Sequence, residues 1–283
     1  RSVSSALTAG LLAGFIPALA IQAVDHDHYS FHEQGKTIVD LDLHNSFADN
    51  EGCFVLYDTD TDTWTIYHEE AALTRITPVS TYKIYSALFA LESGIIAPQR
   101  SLLSWDGQHY RYDLWNADQT LESAMQHSVT WYFQELDRRT GPAAIRDYLH
   151  QTGYGNQNMG GDLSSYWIDS SLKISPVEQV ELLQKFHDNQ FGFSQEAVDA
   201  VKNAIRLSTD GDGVLYGKTG TQEVNGQNVS GWFIGYIEKG GHTCFFATNI
   251  QGQKNATGPA AARLTLTILS DLGYWNPVRA ADA

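Results

Sequence analysis

Strand-like sequence stands at both ends of the folded part of this chain and helical sequence fills the middle, and that order constrains the fold more than any other feature. The run GCFVLYDTDTDTWTIYHE, starting at Gly52, alternates apolar and polar residues on both sides of an Asp/Thr cluster, which predicts a β-hairpin. From Pro78 the period changes to that of a helix, with Tyr82, Tyr85, Ala87, Leu88, Phe89 and Leu91 forming an apolar face and Gly94 a stop. Helical segments follow at Leu121 to Asp137, Ala143 to Thr152, Pro176 to Asn189 and Gln195 to Leu207. Strands return in GVLYGKTGT, VSGWFIGYIEK and HTCFFATNI, and Ala260 to Leu272 closes the pattern as a helix. Strands at both ends around a helical middle imply a mixed α/β (α+β) fold, an antiparallel sheet flanked by helices with an inserted helical subdomain at about 98–205.

Ala6 to Val24 is an unbroken uncharged stretch about as long as a bilayer core requires of a helix. It predicts a transmembrane helix, with residues 1–24 as the end of a membrane region, 25–48 as a juxtamembrane segment and 49–283 as the folded domain. The competing reading is a signal peptide cut at Ala18-Leu19-Ala20. Arg1 before the stretch and Asp25 and Asp27 after it orient the bulk of the chain outward.

With 33 acidic against 18 basic residues the net charge is −15, which repels phosphate backbones and excludes a nucleic-acid partner. Cys53 and Cys244 each sit in an apolar run and read as two buried thiols, with a single bridge between them as the alternative. Asp58, Asp60, Asp62 and Glu69 imitate a calcium loop, but Thr63 stands where the sharp turn requires glycine, so the hairpin turn accounts for them better. His26, His28 and His32 lack the fixed spacing of a zinc site, and no metal is expected.

The chemistry concentrates in Ser80-Thr81-Tyr82-Lys83, at the predicted start of a helix. Serine and lysine at i and i+3 share one face. The lysine can take the serine proton only when neutral, a state that burial favours, or when converted to an acid-derived base. Lys218-Thr219-Gly220-Thr221 lies on a predicted strand. If that strand runs beside the serine, Lys218 adds positive charge, Thr219 can hydrogen-bond a substrate carboxylate, and the backbone N–H groups of Thr221 and Ser80 form an oxyanion hole. Each role needs an edge strand against the serine helix.

Taken together with Trp105-Asp106-Gly107, Ser128-Val129-Thr130, Tyr154-Gly155-Asn156 and Trp167 within YWIDSSLKIS, these two motifs resemble the penicillin-binding serine family, specifically the class D β-lactamases and the sensor domains of BlaR/MecR-type receptors. The likeness runs from about residue 50 to about 275. It implies Ser80 as the acylated nucleophile, Lys83 as its base, able to carry a carbamate derived from carbon dioxide, and Ser128 as proton shuttle to the lactam nitrogen. It further implies Trp167 as a donor to that carbamate, and Lys218, Thr219, Gly220 and Thr221 along the substrate. Class D enzymes carry valine at Thr130, whereas the sensor domains carry a polar residue; the Thr130 hydroxyl is expected to bind the free Lys83 amine and disfavour its carbamate once Ser80 is acylated, so that no base activates the deacylating water. Arg263 lies near the place of a carboxylate-binding arginine.

The resemblance thus implies a receptor domain on the outer face of a bacterial cell membrane, covalently acylated by β-lactam antibiotics. It also implies a further N-terminal part with more membrane helices and a zinc protease domain. A secreted class D β-lactamase is the alternative, and a transpeptidase or carboxypeptidase acting on peptidoglycan the third reading.

Overall fold

In the computed structural model, which describes residues 35–48, 50–169, 171–252 and 255–276, the two strand-rich ends pair in one sheet. The first end supplies β1 (Thr37–Asp40), a short helix α1 (His44–Phe47), β2 (Glu51–Asp58), β3 (Thr63–Tyr67) and α2 (Glu69–Leu73). The second supplies β4 (Arg206–Asp210), β5 (Gly213–Val224), β6 (Gln227–Lys239) and β7 (His242–Gln251). The sheet order is β1-β3-β2-β7-β6-β5-β4, so the ends meet where β2 pairs antiparallel with β7, Val55 opposite Ala247. Between them lie α3 (Lys83–Glu92), α4 (Leu121–Gln126), α5 (Thr130–Thr140), α6 (Pro142–Thr152), α7 (Pro176–His187) and α8 (Gln195–Ala204). The helix α9 (Gly258–Asp271) follows the last strand.

Successive side chains of a strand point to opposite faces, and here both faces are covered. Cys53 and Val55 of β2 with Trp232, Ile234 and Tyr236 of β6 join the larger core with α3, α5 and α7. Phe54 and Leu56 with Phe233 and Ile237 join the smaller core under α9. Cys53 and Cys244 therefore lie in different cores; both are free thiols, and burial pushes each up to about 12.

Several predicted boundaries move. The helix expected over Leu121 to Asp137 is broken into α4 and α5, because Ser128 takes a left-handed φ of 52° that turns the chain between them. The helix expected to reach Leu207 ends at Ala204; Arg206–Asp210 pairs with β5 across the tight turn at Gly211, where strand hydrogen bonds replace a frayed helical turn. In the stretch read as juxtamembrane, β1 adds to the sheet edge parallel to β3. The Asp58 turn is held by its own hydrogen bonds: Asp58 Oδ1 accepts from the backbone of Asp60, and Tyr57 donates to Asp62. Ala6 to Val24, with His26, His28 and His32, lies outside the described residues. Among the described residues no helix is long and apolar enough to cross a membrane.

Candidate active site

Ser80 sits in a 3-10 turn, Val79–Tyr82, that leads directly into α3. The turn is fixed from its flanks. The Thr81 hydroxyl donates to Pro78 O at 2.7 Å and accepts from Gln179 Nε2 at 2.9 Å, while Val79 is held at a φ of 44°, a conformation a β-branched residue adopts only under strain. Val79, Thr81 and Tyr82 are buried and Ser80 alone of the four is partly open.

Lys83, the first residue of α3, is fully buried. Its Nζ donates to Ser128 O at 2.6 Å, Ser128 Oγ at 3.0 Å and Thr130 Oγ1 at 3.1 Å. The rings of Trp115, Phe133 and Trp167 stand 5.9, 5.5 and 5.6 Å from the same nitrogen. Burial, and after it the charge of Lys218, holds this amine well below the usual lysine range, which favours its neutral form. Lys218 reaches the same hydroxyl from the other side, its Nζ 3.0 Å from Ser128 Oγ and 3.0 Å from Thr219 O, and burial lowers it to about 7. Ser128 Oγ thus bridges two lysines. With both lone pairs engaged, its own proton is left to donate.

The requirement for an edge strand is met within a single strand. β4 pairs with β5 only from Gly213 to Tyr216, so Lys218 to Thr221 form an edge facing the serine turn. A Cβ on Gly220 would stand 2.7 Å from Val79 Cγ2 and 3.3 Å from Ser80 N; glycine lets the strand and the Ser80 backbone approach. On the other side a Cβ on Gly258 would meet Thr219 Cβ at 2.8 Å, and Gly258 N donates to Thr221 Oγ1 at 2.8 Å. The strand is gripped between the serine turn and the start of α9. Thr219 is partly open, and Arg263 is exposed further along α9.

The Trp167 indole N–H donates to Asp137 Oδ2 at 3.0 Å, and its ring faces Lys83. The groups within reach of Lys83 Nζ are the Ser128 carbonyl and the hydroxyls of Ser128 and Thr130, each hydroxyl able to donate as well as accept.

Asp137 was not found from the sequence, although an acidic residue one turn after Phe133, beside Leu136, stands on the apolar stripe of α5 and is a readable signal. The other motifs are scaffolding. Gly155 has a φ of 47° and a Cβ there would fall 2.0 Å from Lys173 O; Asn156 Oδ1 accepts from Lys173 N and its Nδ2 donates to Ser171 O. These contacts close the loop that carries Trp167. Trp105 donates to Gln108 O and shapes an exposed loop.

The comparisons agree with this geometry. A family model for the penicillin binding protein transpeptidase domain matches residues 50–270. The Regulatory protein BlaR1 of Bacillus licheniformis is 46% identical over 245 residues, which cover 86% of this chain and 41% of that protein. The chain therefore spans about two fifths of the length of that relative. Among solved structures, the C-terminal domain of the Bacillus licheniformis BlaR penicillin-receptor is 46% identical, with a TM-score of 0.83 over 86% of this chain and 99% of that one. The class D β-lactamase BAT-2 is 34% identical, with a TM-score of 0.79 over 84% and 98%.

Proposed function

The chain belongs to the penicillin binding protein transpeptidase family and, within it, to the group of the BlaR penicillin-receptor C-terminal domain; from that premise we propose that it is a β-lactam receptor domain, acylated at Ser80 and too slow in deacylation to act as a β-lactamase. The observation that carries this reading is the seating of Lys83: a buried amine bound by Ser128 and Thr130.

Acylation follows from the groups present. Neutral Lys83 takes the Ser80 proton as Ser80 Oγ attacks the lactam carbonyl, and the backbone N–H groups of Ser80 and Thr221 receive the developing oxyanion. As the C–N bond breaks, Ser128 gives its proton to the lactam nitrogen and regains one from the Lys83 ammonium, 3.0 Å away. Lys218 steadies Ser128, and Thr219 hydrogen-bonds the substrate carboxylate. The reaction then stops. Lys83 is neutral again once it has returned its proton, but it is fully buried and tied to Ser128 and Thr130, which hold it back from a water approaching the acyl carbon.

The domain acts on the outer face of a bacterial cell membrane, anchored by a helix at about residues 6–24, and passes the acylated state to parts of a longer protein that include a protease. The uncharged N-terminal stretch and the 41% share of BlaR1 that the chain spans support this. Intact-mass spectrometry of the protein mixed with benzylpenicillin tests the reading. One adduct on Ser80 that persists for hours is expected. An adduct that vanishes within seconds while penicillin is consumed makes this a class D β-lactamase, and no adduct at all removes both readings.

A further inference from the structure

The space in front of Ser80 has two walls, and one contact that the acylation chemistry does not use joins them. Arg111 Nη2 donates to Glu223 Oε2 at 2.9 Å, between residues 112 positions apart in the chain. Arg111 stands on a loop fastened beside the site: Trp115 Nε1 donates to His127 O at 3.0 Å, Trp131 Nε1 donates to Trp115 O at 2.9 Å, and the Trp115 ring lies 5.9 Å from Lys83 Nζ. Asn116 braces the residues around Arg111, its Oδ1 accepting from Tyr110 N at 2.7 Å and its Nδ2 donating to Tyr110 O at 3.0 Å. The guanidinium packs over the Tyr112 ring, 4.8 Å from its centre. Glu223 stands on the opposite wall, on β5 two residues beyond Thr221. The pairing of β5 with β6 shifts register between Gln222 and Glu223, and a bulge of that kind re-aims the side chains after it. Exposed Tyr112 and Val224 stand next to the pair on its two sides.

The strand fixes where a β-lactam meets this pair. With its carbonyl oxygen between the backbone N–H groups of Ser80 and Thr221 and its carboxylate at Thr219, a penicillin lies along β5. Its acylamino substituent then leads away from Thr219, because that substituent and the carboxylate leave opposite ends of the fused rings. A strand rises about 3.3 Å per residue, so Glu223 lies about 7 Å past Thr221 in the same direction. We propose that Arg111 and Glu223 are specificity-determining residues, their ion pair a strap across the acylamino end of the cleft that a compact substituent leaves closed and a bulky one has to part. This rests on the reading of Ser80 as the residue that β-lactams acylate. The two side chains are 63% and 37% exposed, and an ion pair in that setting is weak enough for a ligand to part. The strap therefore grades β-lactams by their substituent and does not exclude them.

The test is the second-order rate of adduct formation, followed by intact-mass spectrometry, for penicillins of increasing acylamino size: aminopenicillanic acid, which has no acyl group, benzylpenicillin and piperacillin. Arg111→Gln and Glu223→Gln are each expected to raise the rate for piperacillin relative to that for aminopenicillanic acid by about two- to fivefold, the range that parting an exposed ion pair spans. The double variant is expected to give no further rise, because either single change already opens the strap. The wild-type protein gives a reading that needs no substitution: in about 1 M NaCl, where the screening length falls to about 3 Å, its ratio is expected to rise as well. A ratio unchanged or lowered in the single variants overturns the proposal, as does a wild-type ratio insensitive to salt or a double variant whose rise is the product of the two single ones. Failure of the receptor reading looks different. No adduct from any of the three penicillins overturns acylation at Ser80 itself, whereas adducts formed at an unchanged ratio overturn the strap alone.

Discussion

Thr130 Oγ1 accepts a hydrogen from Lys83 Nζ at 3.1 Å, across the break between α4 and α5. Valine matches threonine in shape but offers no acceptor, so Thr130→Val leaves the packing in place and frees one N–H of the amine. The expected result is an acylation rate near that of the wild type and an adduct lifetime shortened by about tenfold or more in bicarbonate-rich buffer. An unchanged lifetime would remove Thr130 from the account of slow deacylation.

Gly220 is where the edge strand presses on the nucleophile's turn. In Gly220→Ala the added Cβ meets Val79 Cγ2 at 2.7 Å, and Val79 has little freedom because its backbone is already left-handed. A stability loss of about 1–3 kcal/mol is expected from overpacking, with acylation slowed by about tenfold as Ser80 shifts against Thr221. Thermal melting and a time course of adduct formation measure the two; a wild-type acylation rate would show that the contact does not align the site.

Acylation by a neutral amine has a pH signature. Burial first and the Lys218 charge second lower Lys83, so the acylation rate is expected to fall on acidification as Lys83 takes a proton, with its inflection below that of an ordinary lysine. Lys218→Gln removes the repelling charge. The inflection of the rate profile should then move to higher pH, whatever happens to the absolute rate; movement to lower pH would contradict the assignment of Lys83 as base.

Stability should also depend on pH through Asp137. Its ordinary value of 3.8 applies to the unfolded chain, and the folded value is raised to about 7. Between these values the folded state retains the proton and the unfolded state has lost it. Stability therefore falls as pH rises through that window, by an amount on the order of 4 kcal/mol if the full linkage is expressed. Urea unfolding at pH 4.5 and pH 7.5 compares the two states, and Asp137→Asn is expected to flatten the dependence. Equal slopes in the variant and the wild type would mean that this carboxyl titrates as it does in water.

The site residues were legible where their chemistry is local. Ser80 and Lys83 are one turn apart in any helix, and Lys218 to Thr221 read as a strand because alternation is visible within a few residues. Their meeting was inferred from the resemblance rather than from any pattern. The helical periodicity runs on through Ser128, and nothing local announces its left-handed φ. That conformation presents its carbonyl and hydroxyl to Lys83, a residue 45 positions earlier.

The amino-acid sequence by itself determined the two strand-rich ends, the helical middle and the candidate reacting groups, since hydrophobic period, turn residues and short spacings are properties of neighbouring residues. Only the tertiary structure decided which donor each buried polar group receives. Trp167 serves Asp137 because a chain segment 30 residues away supplies a carboxylate at 3.0 Å, and the early stop of β4 leaves Lys218 to Thr221 as an edge. Burial, which lowers Lys83 and raises Asp137 to about 7, comes from many distant side chains closing around one point, and no stretch of sequence records it.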